Sequence, residues 1–165
     1  MKIGVISDTH GYLDDKVFNY FNECDEIWHA GDIGDFSVID SLERFKPTIA
    51  VYGNIDSRKL RITYPEHQNL EREGLTLWMT HIGGYPPRYN PEIKPEIRNS
   101  KPDIFVCGHS HILRVMHDPQ QKQTLYINPG AAGKHGFHKI RTIVRFEIVD
   151  KKIFNMQAIE LGKRA

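Results

Sequence analysis

The sequence is poor in the features that would place it in several large classes. Only two cysteines, Cys24 and Cys107, occur in 165 residues. They are too few for a disulfide framework, and in a reducing compartment both read as small buried residues. No apolar run approaches the roughly 20 residues a helix needs to cross a bilayer. The chain begins at once with a strand-like segment, not with a basic stretch followed by a hydrophobic one. A cytoplasmic protein without a membrane partner is therefore expected. Neither sign of charge dominates, with 22 Lys and Arg against 21 Asp and Glu, so charge does not indicate nucleic-acid binding. Repeats and low-complexity tracts are missing too. What remains, 39% hydrophobic and 26% charged residues, is the make-up of one globular domain over 1–165 with a core of its own. The unusual abundance is nine histidines, and their positions carry the argument.

The first stretch, Lys2 to Gly11, is a short β-branched apolar run that ends in Asp8-Thr9-His10. It reads as a buried strand. A helix with Val17, Phe18 and Phe21 on one face follows, then a strand over Glu26 to Ala30 that stops at Gly31-Asp32. A second helix places Val38, Ile39, Leu42 and Phe45 at helical spacing before Pro47, and a third strand, Thr48 to Tyr52, stops at Gly53-Asn54. Two β-α-β units in succession imply parallel strands with right-handed crossovers. The pattern then changes to a hairpin, His67 to Glu71 and Leu75 to Thr80, ending at His81. A Pro- and Gly-rich surface loop from Gly83 to Tyr89 and a short helix within Pro91 to Asn99 come next, then a strand over Asp103 to Cys107 ending at Gly108-His109-Ser110-His111. Four further strands are expected near Arg114 to His117, Thr124 to Ile127, Thr142 to Val149 and Ile153 to Ile159. About ten strands and three helices exceed what one sheet comfortably holds, so two packed sheets flanked by helices is the expected α/β architecture.

Five strands thus end in the same kind of residue: Asp8 and His10, Asp32, Asn54, His81, then His109 and His111. Three of these ends carry Gly immediately before the polar residue, which frees the backbone to turn into a shared space. Singly, each is an ordinary turn residue or a strand-end histidine; together, at the carboxyl ends of strands where open α/β sheets gather their chemistry, they converge. Carboxylates, imidazoles and one amide oxygen, with no thiolate, suit Mn²⁺, Fe or Zn²⁺ at a catalytic site. Seven donors exceed one tetrahedral ion and fit two neighbouring ions. Two divalent cations against the two carboxylates Asp8 and Asp32 leave surplus positive charge, which favours an anionic substrate and a more acidic bound water.

The ordered series Asp8-x-His10, Gly31-Asp32, Gly53-Asn54-Ile55-Asp56, His81, Gly108-His109-x-His111, with Asn128-Pro129-Gly130 after it, resembles the calcineurin-like metallophosphoesterase superfamily. The resemblance runs from Lys2 to about Gly130 and is strongest to the small single-domain bacterial and archaeal phosphodiesterases. It implies a four-layer α-β-β-α sandwich of two mixed sheets. It further implies two divalent ions per chain, Mn²⁺ first, with Fe, Zn²⁺, Ni²⁺ or Mg²⁺ as alternatives. Asp8, His10 and His111 would hold one ion, and Asn54, His81 and His109 the other. Asp32 would bridge them together with a water or hydroxide that attacks phosphorus in line. Asp32, Asn54 and His109 are then the catalytic set, with Asn54 also beside a substrate phosphate oxygen. His29 or Asp56 would orient ligands or serve only the fold.

Two departures from the family pattern stand out. Ile55 occupies the place where most of the superfamily has a histidine near the leaving group, as is common in the small phosphodiesterase branch. His81-Ile82-Gly83-Gly84 replaces the His-Gly-His often seen at the fifth motif. The leaving-group acid is thereby open, and metal-bound water or a histidine of Gly133 to His138 is the candidate, with His135 also a substrate contact unless the segment is a plain surface loop. Tyr85, Arg88 and Tyr89 are either a stacking and phosphate-clamping set, Arg88 as the clamp, or ordinary loop residues. The expected activity is hydrolysis of a small or nucleotide-like phosphodiester, with a phosphomonoesterase as second reading. A non-catalytic scaffold, as in the retromer subunit of this superfamily, is the third. Monomer and homodimer both remain open.

Overall fold

The computed structural model describes residues 1–165. Strands β1 (Lys2–Ile6), β2 (Glu26–His29) and β3 (Thr48–Ala50) pair in parallel, and the long antiparallel pair β11 (Ile140–Val149) and β12 (Lys152–Lys163) joins them along β1. The resulting sheet has the order β12-β11-β1-β2-β3. The second sheet has the order β4-β5-β8-β10-β9, built from β4 (His67–Arg72), β5 (Leu75–Thr80), β8 (Ile104–Val106), β9 (Leu113–Asp118) and β10 (Gln121–Pro129). Within it β5, β8 and β10 run parallel while β4 and β9 run antiparallel to their neighbours. Helices α1 (Lys16–Tyr20), α2 (Phe36–Phe45), α3 (Arg58–Thr63) and α4 (Lys94–Ser100) complete the chain, with a two-residue pair β6 (Gly84–Tyr85) and β7 (Arg88–Tyr89).

Alternation along the strands builds the layers. Ile3, Val5, Trp28, Leu77, Met79 and Val106 face a core between the two sheets, with Val144 and Phe146 beside them. The opposite faces of the first sheet, through Ile6 and Ile27, pack on Val17 and Phe21 of the α1 segment, Val38, Ile39 and Leu42 of α2, and Leu60 of α3. Trp78, Phe105 and Tyr126 turn outward from the second sheet onto Ile93 and Ile97 at α4. These are the expected four layers of an α-β-β-α sandwich.

Two details differ from expectation. Helix α3 has no apolar periodicity to announce it, since Leu60 is its sole buried residue; its start is fixed by Ser57, whose Oγ accepts from the Leu60 N–H at 3.4 Å. The Gly83–Tyr89 stretch is a small hairpin and only partly surface: Tyr89 is buried, its hydroxyl donating to Asp118 at 2.9 Å. Tyr89 therefore cannot clamp a substrate. No helix is long and apolar enough to cross a membrane.

Candidate metal centre

Parallel pairing aims the carboxyl ends of β1, β2 and β3 at one edge of the first sheet, and those of β5 and β8 at one edge of the second. The seven predicted donors stand on the residues just beyond these ends, and the structure draws them into one cluster. Asp8, His10 and His111 offer donor atoms all within 4.8 Å of one another, and so do Asp32, His81 and His109. Asn54 joins the second group, its Oδ1 lying 3.1 Å from His81 Nε2 and 2.9 Å from His109 Nδ1. Asp32 Oδ2 sits between the groups, 3.2 Å from His81 Nε2 and 3.6 Å from His10 Nε2.

The backbone carries strain to hold this arrangement. Asp8, His10, Asp32, His109 and His111 all have φ between 47° and 67°, a left-handed conformation that costs an L-residue about 1–2 kcal/mol. Half of the ten non-glycine residues with positive φ are thus candidate ligands, a concentration expected where function is maintained against strain. Of the glycines before ligands, only Gly31 has positive φ. Gly53 and Gly108 are needed for close approach instead: a Cβ would overlap the Asp32 carboxylate at the first and the Ser7 hydroxyl at the second.

Hydrogen bonds fix the donors. His81 Nδ1 donates to the Ala30 carbonyl at 2.7 Å, so its Nε2 turns toward Asp32 and Asn54. Asp8 Oδ2 accepts from the Ser7 hydroxyl at 2.7 Å and the His109 N–H at 3.1 Å, while Asp32 Oδ1 accepts from the Ile55 N–H at 3.1 Å. Buried Asp56 ties the Asp32 and Asn54 loops together by accepting from Ile33 N (3.1 Å), Gly34 N (2.7 Å) and Gly53 N (2.7 Å). His29 accepts the Gly31 N–H at Nδ1 (3.2 Å) and meets Thr9 Oγ1 through Nε2 (2.9 Å), touching neighbours of the donors but no donor itself. Full burial pushes it down to about 4, so it is neutral.

Three observations fit this set to divalent cations. Asp8 Oδ1 is buried without a hydrogen-bond partner, facing His111 Nε2 at 3.2 Å. No Lys or Arg forms an ion pair with the buried carboxylates of Asp8 and Asp32. And the oxygen of Asn54 and the carboxylate of Asp32 both point at His81 Nε2, the ring nitrogen not used by the Ala30 carbonyl, so that acceptors converge where only a cation or a proton satisfies them. Burial lowers His10 and His109, keeping them in the neutral form that coordinates a metal. Burial alone would also lower His81, but its hydrogen bond to Asp32 and the charges of Asp8 and Asp32 outweigh that and raise it. Asp32 shows the mirror image: burial works to raise it, while the bond to His81 and the bond from the Ile55 N–H together hold it below the usual carboxylate range.

The remaining sequence candidates divide. His135 lies at the margin of the cluster, its ring centroid 5.0 Å from that of His10. His138 is 5.1 Å from His111 by the same measure, but its Nε2 is spent on the Gly133 carbonyl at 2.9 Å. Arg88 is exposed and its guanidinium makes no hydrogen bond or ion pair with any residue of the cluster. Ser7, Asn128 and Arg61 have supporting roles the sequence reading missed. Asn128 Nδ2 bonds the Gly108 carbonyl (2.9 Å) and Ser110 Oγ (3.1 Å), bracing the turn that carries His109 and His111. Arg61, on the unforeseen α3, reaches the carbonyls of Asn54 (2.6 Å) and Asp56 (2.9 Å).

The fold and donor set define a class: two-sheet α/β proteins whose parallel strand ends offer ligands suited to divalent metals. The chain belongs to the calcineurin-like phosphoesterase superfamily, whose domain model matches residues 1–151. It is 32% identical over 138 residues to a probable metallophosphoesterase of Methanocaldococcus jannaschii, covering 79% of this chain and 68% of that one. A phosphodiesterase of the same organism is 27% identical over 146 residues, covering 79% and 83%. Among solved structures an archaeal phosphodiesterase superposes with a TM-score of 0.75 at 24% identity, covering 98% of this chain and all of the other.

Proposed function

We propose that the chain is a single catalytic unit that hydrolyses phosphodiesters with two divalent cations. Asp8, His10 and His111 would hold one, Asn54, His81 and His109 the other, and Asp32, between the two groups, would contribute to both. Mn²⁺ suits this oxygen and nitrogen set, with Fe, Zn²⁺, Ni²⁺ or Mg²⁺ as alternatives. Such cations supply charge for the phosphate and a more acidic water for attack on phosphorus. The observation that carries the reading is the contiguity of the two donor groups, with Asp32 Oδ2 within 3.6 Å of a histidine from each.

The chain's own residues do the rest. Asn54 engages the cluster through Oδ1 and leaves Nδ2 free of other hydrogen bonds, ready to donate to a phosphate oxygen. Ile55 cannot give a proton to the leaving group; exposed His135, whose ring lies beside that of His10, is our candidate for that role, with metal-bound water as the alternative. A diester is favoured over a monoester because the side chain at Ile55 is apolar and a cleft of about 290 Å³ opens from Asn54 and His81 with room for one of two ester arms.

The test is hydrolysis of paired aryl phosphodiester and phosphomonoester substrates by metal-stripped protein to which each metal is restored, with Asp32→Ala and His109→Ala alongside. Metal-dependent diester cleavage lost in both variants is expected. Faster monoester cleavage would overturn the diester reading, and no turnover by folded protein with any metal would favour the scaffold.

A further inference from the structure

A second, smaller cleft of about 190 Å³ lies beside the turn that carries two of the donors, lined by Tyr85, Ser110, Ile112, Arg114 and Tyr126. Ser110 is the residue between His109 and His111, and its hydroxyl is fixed by Asn128 Nδ2 and the Ile112 N–H. Tyr126 is a wall, buried and with its hydroxyl donating to the Gly84 carbonyl at 2.6 Å. The other three side chains are available. Tyr85 is 40% and Ile112 57% exposed. The Arg114 guanidinium lies 4.4 Å from the Tyr85 ring centroid and makes no hydrogen bond or ion pair, nor does the Tyr85 hydroxyl. The other arginines of the two five-stranded sheets are spent: Arg72 on Glu26, Arg141 on Asp14, Arg145 on Gln157 and the Tyr20 carbonyl.

A free guanidinium laid on an exposed ring, facing an exposed aliphatic side chain, is a platform for a flat π-system, with N–H donors at its edge for exocyclic oxygens. The cleft off Asn54 and His81 has the opposite character, since Glu66, Glu92 and Glu96 line it. We propose that the Tyr85–Arg114 cleft binds a planar aromatic arm of the substrate, of the nucleobase kind, while the phosphate lies at the donor cluster. This rests on the phosphodiesterase reading above and extends it to a substrate class. It also replaces Arg88 by Arg114 as the cation acting with Tyr85.

The experiment compares thymidine 5′-(p-nitrophenyl phosphate) with methyl p-nitrophenyl phosphate, which share a leaving group and differ in the second arm, on Mn²⁺-restored wild type, Arg114→Ala and Tyr85→Ala. Each variant is expected to raise KM for the nucleoside ester about tenfold, the size of one lost stacking partner, with kcat and the methyl ester unchanged. Saturation-transfer NMR with thymidine, which needs no turnover, should show contact in wild type and its loss in both variants. Equal effects on the two esters, no effect on either, or no thymidine contact in wild type would overturn the proposal. If neither ester is cleaved while thymidine contact persists and is lost in the variants, the cleft stands and the phosphodiesterase reading falls.

Discussion

Two buried acidic sites in this molecule are built on opposite plans. Asp118, fully buried at the turn between β9 and β10, is surrounded by donors: Arg98 Nη1 at 2.7 Å, the Tyr89 hydroxyl at 2.9 Å and the Gln120 N–H at 2.8 Å. Asp8 is as deeply buried, yet its Oδ1 has no hydrogen-bond partner and only the imidazoles of His111 and His81 stand near that oxygen. Burial is the same; the compensation of charge is not. A carboxylate that the fold neutralises itself is architecture, whereas one left to an outside cation, in a left-handed backbone, marks chemistry. The contrast is sharpest in activity. Asp32→Ala should lower Mn²⁺-dependent kcat/KM by more than about 100-fold, beyond the loss of a residue that merely orients a ligand. Asp118→Ala should leave kcat/KM per folded molecule unchanged. Comparable losses in both would erase the distinction.

Stability should show the reverse order. Removing Asp118 strands Arg98 and the Tyr89 hydroxyl, and urea unfolding of Asp118→Ala is expected to lose about 3 kcal/mol. Asp8→Asn in metal-stripped protein removes a charge the fold never balanced, in a conformation that asparagine tolerates, so its unfolding free energy should lie within about 0.5 kcal/mol of wild type or above it. Equal destabilisation by the two changes would mean that Asp8, too, is paid for within the protein. Metal addition tests the same point from the ligand side. Mn²⁺ at a hundred times its dissociation constant should stabilise wild type and the Asp118 variant by about 2.7 kcal/mol for each site filled, and Asp8→Asn distinctly less.

The same contrast explains what could be read in the sequence. Donors at strand ends are legible because a polar residue interrupts an apolar run, and five such interruptions carrying seven donors in order are hard to obtain by chance. The four layers follow from the same runs. Helix α3 is not legible, because six residues with one buried side chain carry no period; with it went Arg61. The compensation of Asp118 by Arg98 and Tyr89 joins three separate elements, β7, α4 and β9, and Arg114 of β9 meets Tyr85 of β6 in the same way. Such pairings depend on sheet order, which local pattern leaves open. Ser7 sits next to a legible motif and Asn128 within one, but nothing in their own identity says which group they brace.

The smallest effect should come from a carboxylate of the self-compensated kind near the surface. Asp14 receives Arg141 Nη1 at 2.7 Å and caps the Lys16 N–H at 2.9 Å. Burial works to raise its pKa, but the Lys16 N–H and the Arg141 guanidinium outweigh that and hold it below the usual carboxylate value. A folded pKa below the unfolded one means that this contribution is complete above about pH 4, the unfolded carboxylate value, and is lost as pH falls through the folded pKa. Its size should be about 1 kcal/mol. Unfolding free energies of wild type and Asp14→Asn, measured from pH 6 down to pH 3, should therefore differ at the upper end and converge at the lower. Curves that stay parallel would show that the charge on Asp14 contributes nothing, and that Arg141 is held by the carbonyls of Leu161 and Lys163 alone.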